Sequence, residues 1–246
     1  MKKIYYLTKH FLKVFLAYKI NFLAILIIPI ISIVYHQSDR LFSPIPVEEY
    51  YSYLSLWLAY LVTVTAFTIG YEVVMLREQQ FLKQMTFVVK NYRLVIYSKI
   101  ITHFILLIST VTILVALSTV LFQIPFINLL LFSYGAVLLP FLPLSFIFLV
   151  LNVLPMHTEN LQPIITVTTM AMLFFINFLN LFEPTSTLMT IINPMNFALE
   201  TGKIWTQLFL DGVQSNIFAV IITMILYFVI GSIALNKTRI VANFRM

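Results

Sequence analysis

The sequence predicts an all-α, polytopic membrane protein, and three observations support this class. Of its 246 residues, 61% are hydrophobic and 10% are charged, whereas soluble domains carry roughly 45–50% apolar and about 25% charged residues. Six runs are long and apolar enough for membrane helices, which need about 20 residues each. The basic residues collect in alternate connections between these runs. Intrinsic disorder is excluded because disordered chains have low hydrophobicity.

The six runs set the predicted spans, and the alternating pattern of a β-barrel strand is absent from them. The predicted spans cover residues 21–35, 53–76, 100–122, 127–154, 163–182 and 217–235. Pro140 and Pro143 predict a kink or break in the fourth span. Ala66 and Gly70 form a small-xxx-small pair that would admit a neighbouring helix to the second span. No hydrophilic stretch is long enough for a separate domain, so we expect residues 1–246 to form a single transmembrane domain.

Orientation follows from the distribution of the 15 Lys and Arg residues. Thirteen flank the spans on the side of the N-terminal segment, and only Arg40 and Lys203 fall on the other side. Cytoplasmic segments carry the basic excess, so both termini are expected in the cytoplasm. The same distribution argues against nucleic-acid binding, because these residues serve as topology determinants and contacts for membrane lipid headgroups.

The N-terminal segment, residues 1–19, has the pattern of an amphipathic helix. Its apolar residues recur at spacings of three and four, namely Ile4, Leu7, Phe11, Val14 and Tyr18. A basic helix of this kind lies in the membrane interface. The alternative is that the segment is only the cytoplasmic start of a longer first helix.

The cytoplasmic connection 77–99 also carries a short amphipathic pattern. Phe81, Met85, Val88 and Val89 lie at positions i, i+4, i+7 and i+8, so a short helix with one apolar face is expected. An apolar face on a cytoplasmic helix indicates docking into a groove of another protein.

This connection resembles that of the membrane subunits of type-2 ABC exporters, which are six-helix half-transporters that pair with a separate ATPase. Their pattern after the second span is similar to E-x-G-x-L-x-x-L-x-x-x-P-x-S-x-x-x-x-x-x-G-K. The departures are Gln80 for the first Gly, Val89 for Pro, Asn91 for Ser and Ser98 for the second Gly. The resemblance implies a coupling helix that inserts into the ATPase. The implied coupling residues are Glu78, Phe81, Leu82, Met85, Val88 and Lys99.

A second resemblance lies in the outer loop 183–215. The stretch INPMNFALETGKIW, residues 192–205, is similar to the family's I-N-P-L-T-Y-x-x-E-x-x-R after the fifth span. Asn193 can cap a helix whose first residue is Pro194. The resemblance implies short, partly re-entrant extracellular helices that form a gate with Asn193, Pro194, Phe197 and Glu200. A plain extracellular loop is the alternative, and the apolar run 188–192 disfavours it.

Four further polar residues are candidates for a role in or beside the membrane. Glu72 and His103 fall near the inner ends of the second and third spans, where structural pairing or snorkelling competes with a proton relay. His157 and Glu159 occupy the short inner loop between the fourth and fifth spans, as a secondary coupling point or an ordinary polar turn. The sequence has no H-E-x-x-H pair and no phosphate-binding Gly-rich loop, so we expect a transport subunit and not an enzyme.

The resemblance therefore implies the permease subunit of an ATP-driven exporter in the bacterial cytoplasmic membrane. It would work as a homodimer or with a paralogous permease, and the partner ATPase would hold ATP and Mg, with no cofactor in this chain. The chain looks somewhat like exporters of amphipathic peptides such as bacteriocins and phenol-soluble modulins, and a lipid-like substrate is also open. The alternatives are an ion-coupled secondary transporter or channel, which requires paired buried charges, and a membrane-embedded enzyme, which requires a converging polar cluster.

Overall fold

The computed structural model describes residues 2–17, 19–154, 158–179, 187–207 and 215–238. Within these ranges all regular structure is helical. The α-helices are α1 Lys2–Ala17, α2 Lys19–His36, α3 Val47–Glu78, α4 Phe81–Val89, α5 Tyr92–Phe122, α6 Phe126–Ile147, α7 Thr158–Leu179, α8 Thr187–Ile192, α9 Pro194–Thr206 and α10 Ile217–Lys237. Two 3-10 helices, Ser38–Arg40 and Phe148–Asn152, complete this part of the chain.

Four of these helices are long and apolar enough to cross a membrane. They are α3 with 32 residues, α5 with 31, α6 continued to Asn152 with 27, and α10 with 21. The predicted all-α class is confirmed, and the chain is an all-helical membrane protein with four candidate spans in its described part. The other two predicted spans fall on α2 and α7, whose shorter apolar stretches are Ile25–His36 and Pro163–Phe174. The count of six spans stays a prediction, and the end of the run 163–182 lies outside the described residues.

Helix α5 runs antiparallel to α3, α6 and α10, which defines two ends of the bundle. Where α5 begins, the Tyr92 hydroxyl donates to the Leu235 carbonyl near the end of α10, at 3.0 Å. Where α5 ends, the Phe42 amide in the segment before α3 donates to the Leu121 carbonyl, at 2.7 Å. We call these the α4 end and the opposite end, because α4 connects α3 to α5 at the first of them.

The centre of the bundle is α3, which packs against α5, α6 and α9. A helix of 32 residues is about 48 Å long at 1.5 Å per residue, well beyond about 30 Å of hydrocarbon. Near its start the Tyr51 ring stacks on Phe132 of α6 with centroids 4.2 Å apart. In its second half Phe67 stacks on Phe148 at 4.4 Å. The two helices are therefore in contact along most of their length.

The end of α6 is held between α3 and α10 at two glycines. A side chain at Gly70 of α3 would collide with the Phe148 carbonyl, and one at Gly231 of α10 would collide with Phe146. The packing surface predicted at Gly70 is thus confirmed. α6 continues through Pro140 and Pro143 without a break and changes to the 3-10 helix at Phe148.

The N-terminal segment forms an amphipathic helix, as its spacing predicts. α1 packs along α5, with Phe11 buried, Ile4 and Leu7 half-buried, and Val14 exposed. The Lys3 ammonium donates to the Val89 carbonyl at the end of α4, at 3.2 Å. α1 and α2 are separate helices on either side of residue 18. Tyr18, the last residue of the predicted apolar stripe, lies outside the described residues.

Candidate functional site

The connection predicted to be a coupling segment contains α4, a nine-residue helix between two residues with left-handed backbone. Gln80 before it has φ 60° and Lys90 after it has φ 66°. Such values are uncommon for residues other than glycine. Gln80 stands where the resembled pattern has Gly, the residue for which this conformation costs least. In this chain the left-handed turn before α4 is formed by Gln80.

The start of α5 shows a similar substitution. The Asn91 side chain caps α5 by accepting from the Arg93 amide at 3.0 Å. The resembled pattern has Ser at this position, and Asn and Ser are comparable helix N-caps. Asn91 thus provides a side-chain cap of the kind that Ser can also provide.

One side of α4 anchors it to the bundle. Leu82 and Val89 are buried and Met85 is partly buried. This side belongs to a small apolar cluster with residues of α1, α3 and α5, namely Phe11, Leu76 and Val95. Leu82 and Met85 were both predicted to contact a partner, and the structure places them against the protein's own helices.

The other side of α4 is exposed and carries three large apolar residues beside Lys83 and Gln84. Phe81 is 46% exposed, Phe87 73% and Val88 81%. We call these three residues the α4 surface. Phe81 and Val88 were predicted, whereas Phe87 lies off the stripe that starts at Phe81 and was missed. The sequence signal that could have identified Phe87 is that it directly precedes Val88, so that two large apolar residues are consecutive in a cytoplasmic connection.

Glu78 and Arg77 hold the end of α3 immediately before α4. The fully buried Arg77 donates from Nε to Glu78 Oε1 at 2.8 Å. Its Nη1 donates to the Asn152 carbonyl and its Nη2 to the Leu154 carbonyl, the latter at 3.5 Å. Carbonyls at a helix end lack partners within the helix. The guanidinium therefore supplies hydrogen-bond donors to the carbonyls that follow α6. The sequence indicated only that Arg77 was a cytoplasmic charge.

A second group of polar residues links α3 to α5 at the α4 end. The Lys99 ammonium lies 2.6 Å from Glu72 Oε2, and His103 Nε2 lies 3.0 Å from the same oxygen. We call these three residues the Glu72 cluster. The Lys99 ammonium also lies 4.2 Å from the centroid of the Phe11 ring, at cation–π distance. The structural pairing predicted for Glu72 and His103 is present, and Lys99, predicted at the coupling contact, belongs to this cluster instead.

A cavity of about 580 Å³ opens beside the Glu72 cluster, between α1, α3, α4 and α5. Its walls combine the cluster with polar residues and with apolar side chains of α1 and α4. The apolar wall includes Phe11, Val14, Phe15, Phe81 and Met85.

The predicted gate residues lie in a helical hairpin at the opposite end of the bundle. The Thr187 hydroxyl, at the start of α8, accepts from the Asn216 side chain before α10, at 2.8 Å. At the end of α8 the Ile191 carbonyl accepts from the Tyr227 hydroxyl at 3.0 Å. Tyr227 is eleven residues further along, about 16 Å at 1.5 Å per residue. Further along the chain, in α9, the Glu200 carboxylate accepts from the Asn216 backbone amide at 3.5 Å. The α8–α9 hairpin therefore runs along α10 into the bundle and back.

Local sequence explains the turn between the two helices. The Asn193 side chain accepts from the amides of Met195 and Asn196, at 3.0 and 3.4 Å, and Pro194 is the first residue of α9. This is the cap and helix start that the sequence predicts.

The other two predicted gate residues are buried. Phe197 contacts Tyr227 edge-on with ring centroids 5.3 Å apart. Glu200 is fully buried, and its carboxylate accepts from the Lys203 ammonium at 2.6 Å. α9 as a whole packs against α3 and α6, so the hairpin fills the opposite end of the bundle.

The remaining predicted site falls mostly outside the described residues. His157 is not among them, and Glu159 is described only as part of the first turn of α7. Among the side chains that the structure does describe, no group of three or more His, Cys, Asp or Glu residues could hold a metal ion.

The fold and these contacts define the class of this chain as an all-helical membrane protein with an exposed apolar helix at one end and a buried hairpin at the other. No family model matches the sequence, and neither the curated proteins nor the solved structures include a match. The resemblance to ABC exporter subunits therefore stands on the residues quoted above.

Proposed function

We propose that this chain is the permease subunit of an ATP-driven type-2 ABC exporter. It would span the bacterial cytoplasmic membrane six times, with both termini in the cytoplasm. It would function as a homodimer or with a paralogous permease, together with ABC-type ATPase subunits that bind ATP and Mg. The substrate would be an amphipathic or hydrophobic molecule. A peptide toxin or antimicrobial peptide is the first candidate, and a lipid-like compound is the second.

The observation that carries this proposal is the α4 surface. Phe87 and Val88 project from a short helix whose opposite side is anchored in the bundle. A rigid helix with exposed apolar residues suits docking into a groove of another protein. Arg77 joins the base of this helix to the end of α6, so movement of a docked partner would reach the candidate spans directly. Rigid-body coupling of this kind is a common form of conformational switching.

The α8–α9 hairpin supports the same proposal from the other end. It reaches into the bundle beside α10 and packs on α3 and α6. If that end faces outward, the hairpin closes the outer end of a pathway along these helices, with α8 and α9 as re-entrant helices.

The test is association with an ABC-type ATPase subunit from the same cell. Co-expression and co-purification in detergent should yield a complex, and its ATPase activity should rise on reconstitution with the permease. Replacement of Phe87 and Val88 by Asp places two charges at the contact and should abolish co-purification.

A matched control uses an exposed phenylalanine at the opposite end. Phe42 is 65% exposed, so Phe42→Asp matches the single change Phe87→Asp in residue type and charge, lies away from α4 and should leave association unchanged. Association that survives the Phe87 and Val88 substitutions, with the variant folded, would contradict the proposed coupling role.

One observation favours the second candidate, an ion-coupled transporter. The Glu72 cluster brings a carboxylate, an ammonium and an imidazole together inside the helical bundle, and such buried charge pairs are typical of ion and proton pathways. However, Glu72 lies only six residues before the end of α3, about 9 Å along the axis. Reconstituted vesicles separate the candidates: uptake driven by a proton or sodium gradient without any ATPase would favour the second.

A further inference from the structure

The cavity beside the Glu72 cluster is a second candidate binding site, which shares only Phe81 with the α4 surface. Its volume of about 580 Å³ lies within the range of about 300–1,000 Å³ typical of small-ligand sites. It lies between α1 and the helices α3, α4 and α5. One helix of its wall, α1, is amphipathic and carries basic residues on its exposed side.

The polar groups of this cavity disfavour a cationic ligand and offer donors to an anionic one. Among the described residues that line it, Glu72 is the only acidic one, and its carboxylate is already bound by Lys99 and His103. A cationic ligand would therefore find no uncompensated carboxylate. The Lys99 ammonium has three protons to donate, and Glu72 Oε2 accepts one of them.

Helix α1, which lines the cavity, also carries positive charge. The sequence from Lys2 to Ala17 contains Lys9 and Lys13, both exposed, and no acidic residue. They adjoin the lining residues His10 and Val14 in the sequence. Basic amphipathic helices attract anionic lipids at a membrane surface, so the charge of α1 favours a negatively charged head.

The rest of the wall fits a hydrocarbon chain. Val14 and Phe15 of α1 and Phe81 and Met85 of α4 all line the cavity. Val14 is 40% exposed although it lies on the amphipathic helix near its buried side. An acyl chain placed here would cover this apolar surface.

We propose that the cavity binds an amphiphile with a single anionic head, carboxylate or phosphate, and one acyl chain. The head lies against the Lys99 ammonium and the chain lies along Val14 and Phe15. This site is independent of the proposed coupling role, because it requires no ATPase and no transport.

Native mass spectrometry of the purified full-length protein tests the headgroup preference. The probes are palmitate, palmitoyl-lysophosphatidylglycerol and the zwitterionic palmitoyl-lysophosphatidylcholine. We expect at least one anionic probe to bind about tenfold more tightly than the zwitterionic probe. Binding of palmitate alone would identify a free fatty acid as the source, and binding of the lysophosphatidylglycerol alone would identify a phospholipid. Equal binding of all three probes, or no binding, would overturn the proposal.

Two matched pairs of variants locate the site. Lys99→Gln should abolish the preference for an anionic head, whereas Lys237→Gln, the same change at an exposed residue of α10 outside the lining, should preserve it. Val14→Trp narrows the cavity and should weaken anionic binding about tenfold. Leu16→Trp, on the same helix outside the lining, should bind as the unmodified protein does.

The second pair decides the outcome if Lys99→Gln does not fold. Anionic binding that is unaffected by Val14→Trp, or that falls equally in Val14→Trp and Leu16→Trp, would place the ligand elsewhere and refute the assignment.

Discussion

Glu72→Ala should destabilise the protein strongly, because it leaves the Lys99 ammonium buried without its counter-charge. The side chains of Glu72 and Lys99 are only 16% and 10% exposed, and they lie 2.6 Å apart. Removing one partner of a buried ion pair costs about 3–5 kcal/mol. Lys99 keeps its contact with the Phe11 ring, which contributes about 0.5–2 kcal/mol. We therefore expect a loss near the lower limit, about 3 kcal/mol of unfolding free energy.

A double substitution separates the charge from the packing. Glu72→Ala with Lys99→Met removes both charges and replaces the ammonium by a side chain of similar length. This variant should be more stable than Glu72→Ala alone, with a coupling energy of about 2 kcal/mol. The surface pair of Arg40 and Glu49 is the control, at a similar distance of 2.8 Å but with side chains 46% and 51% exposed. Glu49→Ala should cost less than about 1 kcal/mol.

Unfolding in mixed micelles by a titration of SDS measures these differences. The chain has two tryptophans, Trp57 in α3 and Trp205 in α9, whose fluorescence reports on unfolding of the bundle. Equal losses for Glu72→Ala and Glu49→Ala, or strictly additive effects in the Glu72 and Lys99 cycle, would refute the view that the cluster is a buried ion pair.

Two further predictions concern the hairpin and are checked by the same titration. Gly135 of α6 lies against the Trp205 indole, where a methyl group would collide, so Gly135→Ala should cost about 1–3 kcal/mol. The same change at Gly202 meets only the Ala136 methyl at 3.8 Å and should be neutral or stabilise α9 by up to about 1 kcal/mol; equal effects at both glycines would contradict this packing. Asn193→Ala should cost about 1 kcal/mol through loss of its cap and Asn193→Ser should restore most of it, whereas equal stability of all three proteins would show that the cap contributes nothing.

Features that depend on a single helix could be predicted from the sequence. The stripe of Ile4, Leu7 and Phe11 predicts α1, because helical periodicity places these residues on one face whatever the neighbours are. Asn193 and Pro194 predict the start of α9 for a similar reason, since capping involves only adjacent residues. The all-α membrane class follows from the length and apolarity of the runs alone.

Features that depend on which helices are neighbours could not be predicted. Lys99 lies 27 residues from Glu72, and nothing in their spacing indicates that α3 and α5 bring them together. Arg77 looks like any cytoplasmic basic residue until the end of α6 is placed beside it. The apolar pattern of α4 predicts a helix but not which side is buried, so Leu82 was assigned to a partner contact and Phe87 was missed.

Together, these contacts join α3 to α6 at both ends. Tyr51 stacks on Phe132 near the starts of the two helices, and Arg77 binds the Asn152 carbonyl at the other end. A force on α4 acts at the end of α3, and moving that end without α6 would break the hydrogen bonds of the Arg77 guanidinium. The α9 helix packs against both α3 and α6, so any displacement of the pair also changes the surface on which the hairpin rests. Within the proposed exporter, this arrangement would carry a push on the α4 surface to the hairpin over a helix of about 48 Å.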